Sequence, residues 1–197
     1  MKWITRSHVH VDRVACPWLI KRFVDSEAEF IFVTNDLVQK TAEREGAIPF
    51  DISGVELGHK GTDCSFVSII KKYNLKDKAL LAFADVVNAA DTNTMDTNRY
   101  AYGLEAMAQG FSLMFPDDKT NLEKQFLVYD ALYAFFKIES VKKRSKANRD
   151  IGSSDPAITR SLRSTKLWGL LLCHEAEGDT PCRPVPRLPV AILAARY

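Results

Sequence analysis

A mainly helical α+β fold is predicted for this chain of 197 residues, with a small β-α-β-α-β N-terminal part packed on a C-terminal cluster of helices. Two observations predict it. Apolar residues form three short strand-like stretches before residue 53, whereas from residue 65 they recur at helical spacing. Three glycines in residues 54–62 mark a loop between the two regimes.

Residues 2–11 alternate as a strand, with Trp3, Thr5 and Ser7 on one face. His8, His10 and Asp12 fall on the other face, because side chains two apart point the same way. Such a row can hold a metal ion or form a solvated strand edge. The next helix is expected to begin near Cys16, since Pro17 suits a first helical turn. Trp18 and Arg22, four apart, then share a helical face. Residues 30–34 read as a second strand, Asn35 as the N-cap of a helix over 36–45, and residues 48–52 as a short third strand.

Helices are predicted over 65–73, 77–90 and 98–115, each with an apolar stripe. Thr120-Asn121-Leu122-Glu123 has the form of a capping box opening a last strong helix. Along that helix Leu122, Phe126, Tyr129, Tyr133 and Phe136 make a core-facing seam.

Net charge divides the chain. The formal charge is +2, yet residues 141–197 carry 11 Lys/Arg against 5 Asp/Glu, and five of the eight prolines lie from Pro156 onward. Residues 1–140 are therefore taken as one domain. Residues 141–197 are taken as a basic, proline-rich appendage, helical around 162–173. The basic run Lys142-Lys143-Arg144-Ser145-Lys146 lacks interleaved aromatics, so a nucleic acid is not an expected partner. No apolar run reaches the roughly 18 residues of a membrane helix, and the first residues lack the apolar core of a secretory signal. Four widely spaced cysteines argue for a reducing compartment. A cytoplasmic location is the expectation.

Two polar segments, 10–22 and 51–64, carry the candidate chemistry. Arg13 and Arg22 offer planar forks of donors suited to an oxyanion or a carboxylate. Asp12 or Asp25 could instead neutralise Arg22. Asp130, inside an apolar helix, needs a partner such as Arg13 or Arg22. His10, Asp12, Arg13, Trp18, Arg22 and Asp130 form the expected ligand-binding set. Glu56, His59, Cys64 and Asp91 form the expected metal set, because carboxylate, imidazole and thiolate are all competent ligands for one divalent metal ion. Cys64 also precedes a predicted helix start, where a thiolate would be stabilised, although a free cysteine is more often a small core residue. The phosphate-loop, dinucleotide-binding, nucleophile-elbow and His-Glu-x-x-His patterns are missing.

His10-Val11-Asp12-Arg13-x-Ala15-Cys16-Pro17-Trp18-Leu19-Ile20-x-Arg22-Phe23 resembles the opening motif of the C-terminal domain family of the chromate-resistance protein ChrB. Pro49-Phe50-Asp51, Gly54-Val55-Glu56, His59, Cys64-Ser65-Phe66, Ala90-Asp91, Asp117-Asp118 and Tyr129-Asp130-Ala131-Leu132-Tyr133-Ala134 continue the pattern over residues 1–136. The resemblance implies a role beside a chromate efflux system, as an accessory or chromate-responsive protein. The expectation is thus a cytoplasmic accessory protein binding an oxyanion or a metal ion. Arg13 and Arg22 would hold the anion, His59 and Glu56 would wall it, and Asp130 would position an arginine. One alternative is a small metal-dependent enzyme built on Glu56, His59, Cys64 and Asp91. The other is a chromate-responsive transcriptional regulator, for which no DNA-reading element is visible.

Overall fold

Three parallel strands and six α-helices, with short π and 3₁₀ turns between them, are found in this computed structural model, described over residues 1–152 and with side chains through Lys142. Strand β1 (Lys2–Arg6) lies between β2 (Glu29–Val33) and β3 (Ile48–Pro49), in register from Lys2↔Glu29 to Arg6↔Val33 and at Trp3↔Ile48. Alternation along β1 divides the core. Trp3 faces the main cluster, while Ile4 packs on Val38, Ala42 and Ala47 beneath helix α2 (Val38–Glu45).

Helix α1 (Val11–Leu19) crosses from the sheet to α3 (Ser65–Lys72), α4 (Lys78–Asp91), α5 (Ala101–Met114) and α6 (Asp118–Gly152). Trp18 stands at the centre of this layer, in ring contact with Phe23, Phe66, Phe83, Tyr129 and Tyr133. Burying each such apolar side chain contributes about 1.5–3 kcal/mol. The α6 seam behaves as its spacing predicts: Leu122, Tyr129 and Phe136 are buried, with Phe126 and Tyr133 packed against them. The fold is mainly helical α+β.

Several boundaries differ from the sequence reading, for identifiable reasons. The first strand stops at Arg6 because His8 takes a left-handed conformation (φ 63°). The Asp118 carboxylate accepts the His8 and Val9 amides at 3.0 and 2.8 Å, which turns the chain straight into α1. Asp12 is consequently helical, and His8, His10 and Asp12 do not share a strand face. Pro17 sits well inside α1 rather than in its first turn. Its missing N–H and bulky ring disturb the ladder, and just beyond it the helix widens into a π turn, Ile20–Val24, closed by the Asp25 amide on the Ile20 carbonyl at 2.8 Å.

Asn35 caps nothing with its side chain. It opens a 3₁₀ turn (Asn35–Leu37) ahead of α2. Thr120 is not an N-cap either, because Asp117 takes that role, accepting the Thr120 amide at 2.9 Å and its hydroxyl at 2.7 Å. Helix α6 continues through residue 140 to Gly152. Residues 153–197, including the helix expected around 162–173, lie outside the described residues. Among the described residues, no helix is long and apolar enough to cross a membrane.

Candidate metal centre

Two helix N-termini and one loop converge on a group of carboxylates. The amides at the start of α3 hold Asp12: Ser65 N–H donates at 2.6 Å and Phe66 N–H at 3.3 Å. The first turn of α1 in turn donates the Asp12 amide to Asp91, at the end of α4, at 3.3 Å. Orphan amides and the positive end of each helix dipole are suited to this task. They let two acids sit side by side while Asp12 is only 1% exposed.

Asp51 completes the acidic wall. It accepts the Ser65 hydroxyl at 2.9 Å and Arg13 Nη1 at 3.2 Å, with the Arg6 guanidinium 3.7 Å away. Its backbone is left-handed (φ 50°), a conformation of the kind stored at functional sites.

His59 reaches this wall from the loop between β3 and α3. Its Nε2 lies 3.5 Å from Asp12 Oδ2, 3.4 Å from Asp51 Oδ1 and 3.1 Å from Asp91 Oδ2. The preceding residue must be glycine, since a Cβ on Gly58 would fall 2.4 Å from the Ile52 carbonyl oxygen. Hydrogen bonding to Asp12, against the cost of burial and with help from the three carboxylate charges, pushes the imidazole pKa up to about 9. Burial, followed by the charges of Asp12 and Asp51, lifts Asp91 to about 7. Asp51 is raised for the same two reasons, burial first and then Asp12. Asp12, His59 and Asp91 each offer one ligand atom, and these atoms lie within 4.8 Å of one another.

The expected site residues divide among several places. Asp12, Arg13, His59 and Asp91 come together, joined through Asp51. Glu56 does not join them: 60% exposed, it pairs with Lys72 at 2.6 Å. Cys64 is buried beside Asp12, but burial and that carboxylate drive its thiol well above the ordinary range, the reverse of the thiolate expected at a helix start. His10 pairs with Glu105 at 3.4 Å, and the other Glu105 oxygen is buried without a partner among the described residues.

Arg22 finds neither Asp12 nor Asp25. Its Nε and Nη2 grip Asp130 at 3.0 and 2.7 Å, and Trp18 Nε1 donates to the same carboxylate at 2.8 Å. Asp25 instead binds the N-terminal amine and Trp3 Nε1. Arg22 and Asp130 line a groove of 830 Å³ between β2 and α6, with Phe30, Phe32 and Phe126 along it. No hydrogen bond or ion pair links this trio to the acidic wall among the described residues. Sequence reasoning gave no role to Ser68 or Asn88, and placed Ser65 only within the Cys64-Ser65-Phe66 motif. Asp51 opened the polar segment 51–64 and stood in the Pro49-Phe50-Asp51 motif, but was assigned to neither the ligand set nor the metal set.

Comparisons with known proteins agree with the motif resemblance. A family model described as ChrB, C-terminal domain, matches residues 3–136. Protein ChrB of Cupriavidus metallidurans (strain CH34) is 34% identical over 136 residues, which are 68% of this chain and 40% of that protein. The chain thus spans two fifths of the length of this curated relative. No solved structure matches it.

Proposed function

The chain belongs to the ChrB C-terminal domain family, and from that premise we propose that it serves chromate resistance in the cytoplasm by binding a divalent metal ion between Asp12, His59 and Asp91. The observation that carries this reading is the approach of three ligand atoms, two of them carboxylate oxygens already oriented by backbone amides. Oriented ligands of this kind are what a metal site requires. Two oxygens and one imidazole nitrogen suit a divalent first-row metal ion such as Mn²⁺, Co²⁺ or Zn²⁺ better than Ca²⁺. The pair of buried free thiols, Cys16 and Cys64, is consistent with a reducing compartment.

A metal fits better than an oxyanion. Arg13 is committed to Asp51 and the His8 carbonyl, and Arg22 to Asp130. An anion at His59 would face three carboxylates. In the metal-free protein a protonated His59 supplies the positive charge, so metal uptake displaces a proton and strengthens as pH rises towards 9.

One feature favours the metal-dependent enzyme as a second reading. His59 is 44% exposed, so solvent reaches the imidazole that would hold the ion, and catalytic sites keep an open position. The regulator reading draws on no feature of the described residues.

The test is calorimetric titration of chelator-stripped protein with Mn²⁺, Co²⁺ and Zn²⁺ beside His59→Ala and Asp91→Ala. Saturable uptake of one ion per chain, lost in both variants, supports the proposal. Absence of uptake, with chromate binding to the metal-free protein, would return the site to the oxyanion reading.

A further inference from the structure

We propose that Asn88 and Ser68 are positioning residues that clamp the His59 loop against the carboxylate wall from both sides of the histidine. Ser68, on α3, donates its hydroxyl to the Gly58 carbonyl at 2.7 Å, one residue before His59. Asn88, on α4, accepts the Cys64 amide at 2.7 Å and donates to the Thr62 carbonyl at 3.2 Å, beyond it. The loop between these anchors closes on itself through the Lys60 and Asp63 backbones, but His59 is half exposed and reaches the wall with its ring nitrogen, so its place depends on how the loop is held.

Asn88 has a wider reach than a loop tie. It lies one turn before Asp91 on the same helix, and the Cys64 amide it holds immediately precedes the Ser65 and Phe66 amides that orient Asp12. One side chain therefore fixes the spacing among the elements bearing all three proposed ligands. Ser68, 4% exposed, acts through the same helix as Ser65 and sets the depth of the loop. Neither side chain supplies one of the three ligand atoms, so each acts by placing the residues that do.

The inference rests on the proposed metal site only for its metal readout. Asn88→Ala and Ser68→Ala are made in the full chain, with Val38→Ala, in the separate cluster under the sheet, as a control for general loosening. Two quantities are read: the His59 imidazole pKa by NMR in chelator, and Co²⁺ affinity with its visible absorption spectrum. Both clamp variants should lower the His59 pKa towards its ordinary value, and Val38→Ala should leave it unchanged. Co²⁺ binding should weaken about 10–100-fold with an altered spectrum, the usual consequence of losing a partner that orients a ligand. A wild-type pKa and spectrum in both clamp variants would overturn the proposal, as would an equal change in Val38→Ala. Wild-type protein that takes up no Co²⁺ would end the metal reading, while the pKa comparison would still decide the clamp.

Discussion

Raising the pH from 6.5 to 9.5 should destabilise the metal-free protein, and His59→Ala should remove most of that loss. The folded-state pKa of about 9 stands about 2.5 units above the ordinary 6.5, which at face value is about 3.4 kcal/mol. Nearly half of the side chain is in water, however, and solvent and salt screen its ion pairs. About 1–2 kcal/mol is the realistic share. The sign follows from proton linkage. A group whose pKa is raised on folding stabilises fully below its unfolded value, and the contribution disappears as pH climbs through the folded value. Asp91 acts in the same sense at lower pH: lifted from 3.8 to about 7, it makes stability fall as pH rises between those values. Urea unfolding at several pH values, with chelator present, measures both limbs. Wild type should lose about 1–2 kcal/mol across the upper window, and His59→Ala should lose less, its remaining slope coming from Asp91. A wild-type stability that is level or rising from pH 6.5 to 9.5 would refute the account of His59 as an imidazolium held by carboxylates.

Asp91→Asn should raise the melting temperature of the metal-free protein at pH 8 by about 2–4 °C, for about 1 kcal/mol of relieved burial cost and repulsion, while metal uptake is lost; calorimetry and a melt check both. Asp130→Ala should cost about 1–3 kcal/mol, because it strands the buried Trp18 Nε1–H, and should leave metal affinity unchanged. A drop in affinity there would tie the groove to the metal centre. Cys16 and Cys64 should react with a thiol reagent only at the rate of protein opening, since both thiols are buried and held protonated; modification within seconds under native conditions would contradict this.

Local periodicity made much of the helical scaffold legible. The α6 seam and the shared face of Trp18 and Arg22 depend only on residue spacing, and both residues do meet Asp130. What spacing could not supply was the onset of α1, which is set by an Asp118 carboxylate more than a hundred residues away. Pro17 consequently misled: proline favours a first turn, but tertiary contacts had already started the helix. At the site, His59 and Asp91 were visible as ligand types, whereas the fate of Glu56 depended on an exposed lysine, Lys72, one helix away. Cys64 shows the limit most sharply. A helix start favours a thiolate, yet burial beside Asp12 outweighs it, and burial is not written in the local sequence. Asp51 was legible as the first acid of the polar segment 51–64, but its part in the wall was not, because that comes from a left-handed turn that aims an ordinary acid inward.

The most direct test of the metal centre is a crystal structure of protein soaked with Mn²⁺ or Zn²⁺, with anomalous scattering recorded at the metal edge. The account predicts one strong peak about 2.0–2.3 Å from an Asp12 oxygen, His59 Nε2 and an Asp91 oxygen, absent in His59→Ala. A peak elsewhere, or none at saturating metal with His59 still seated against the three carboxylates, would contradict it.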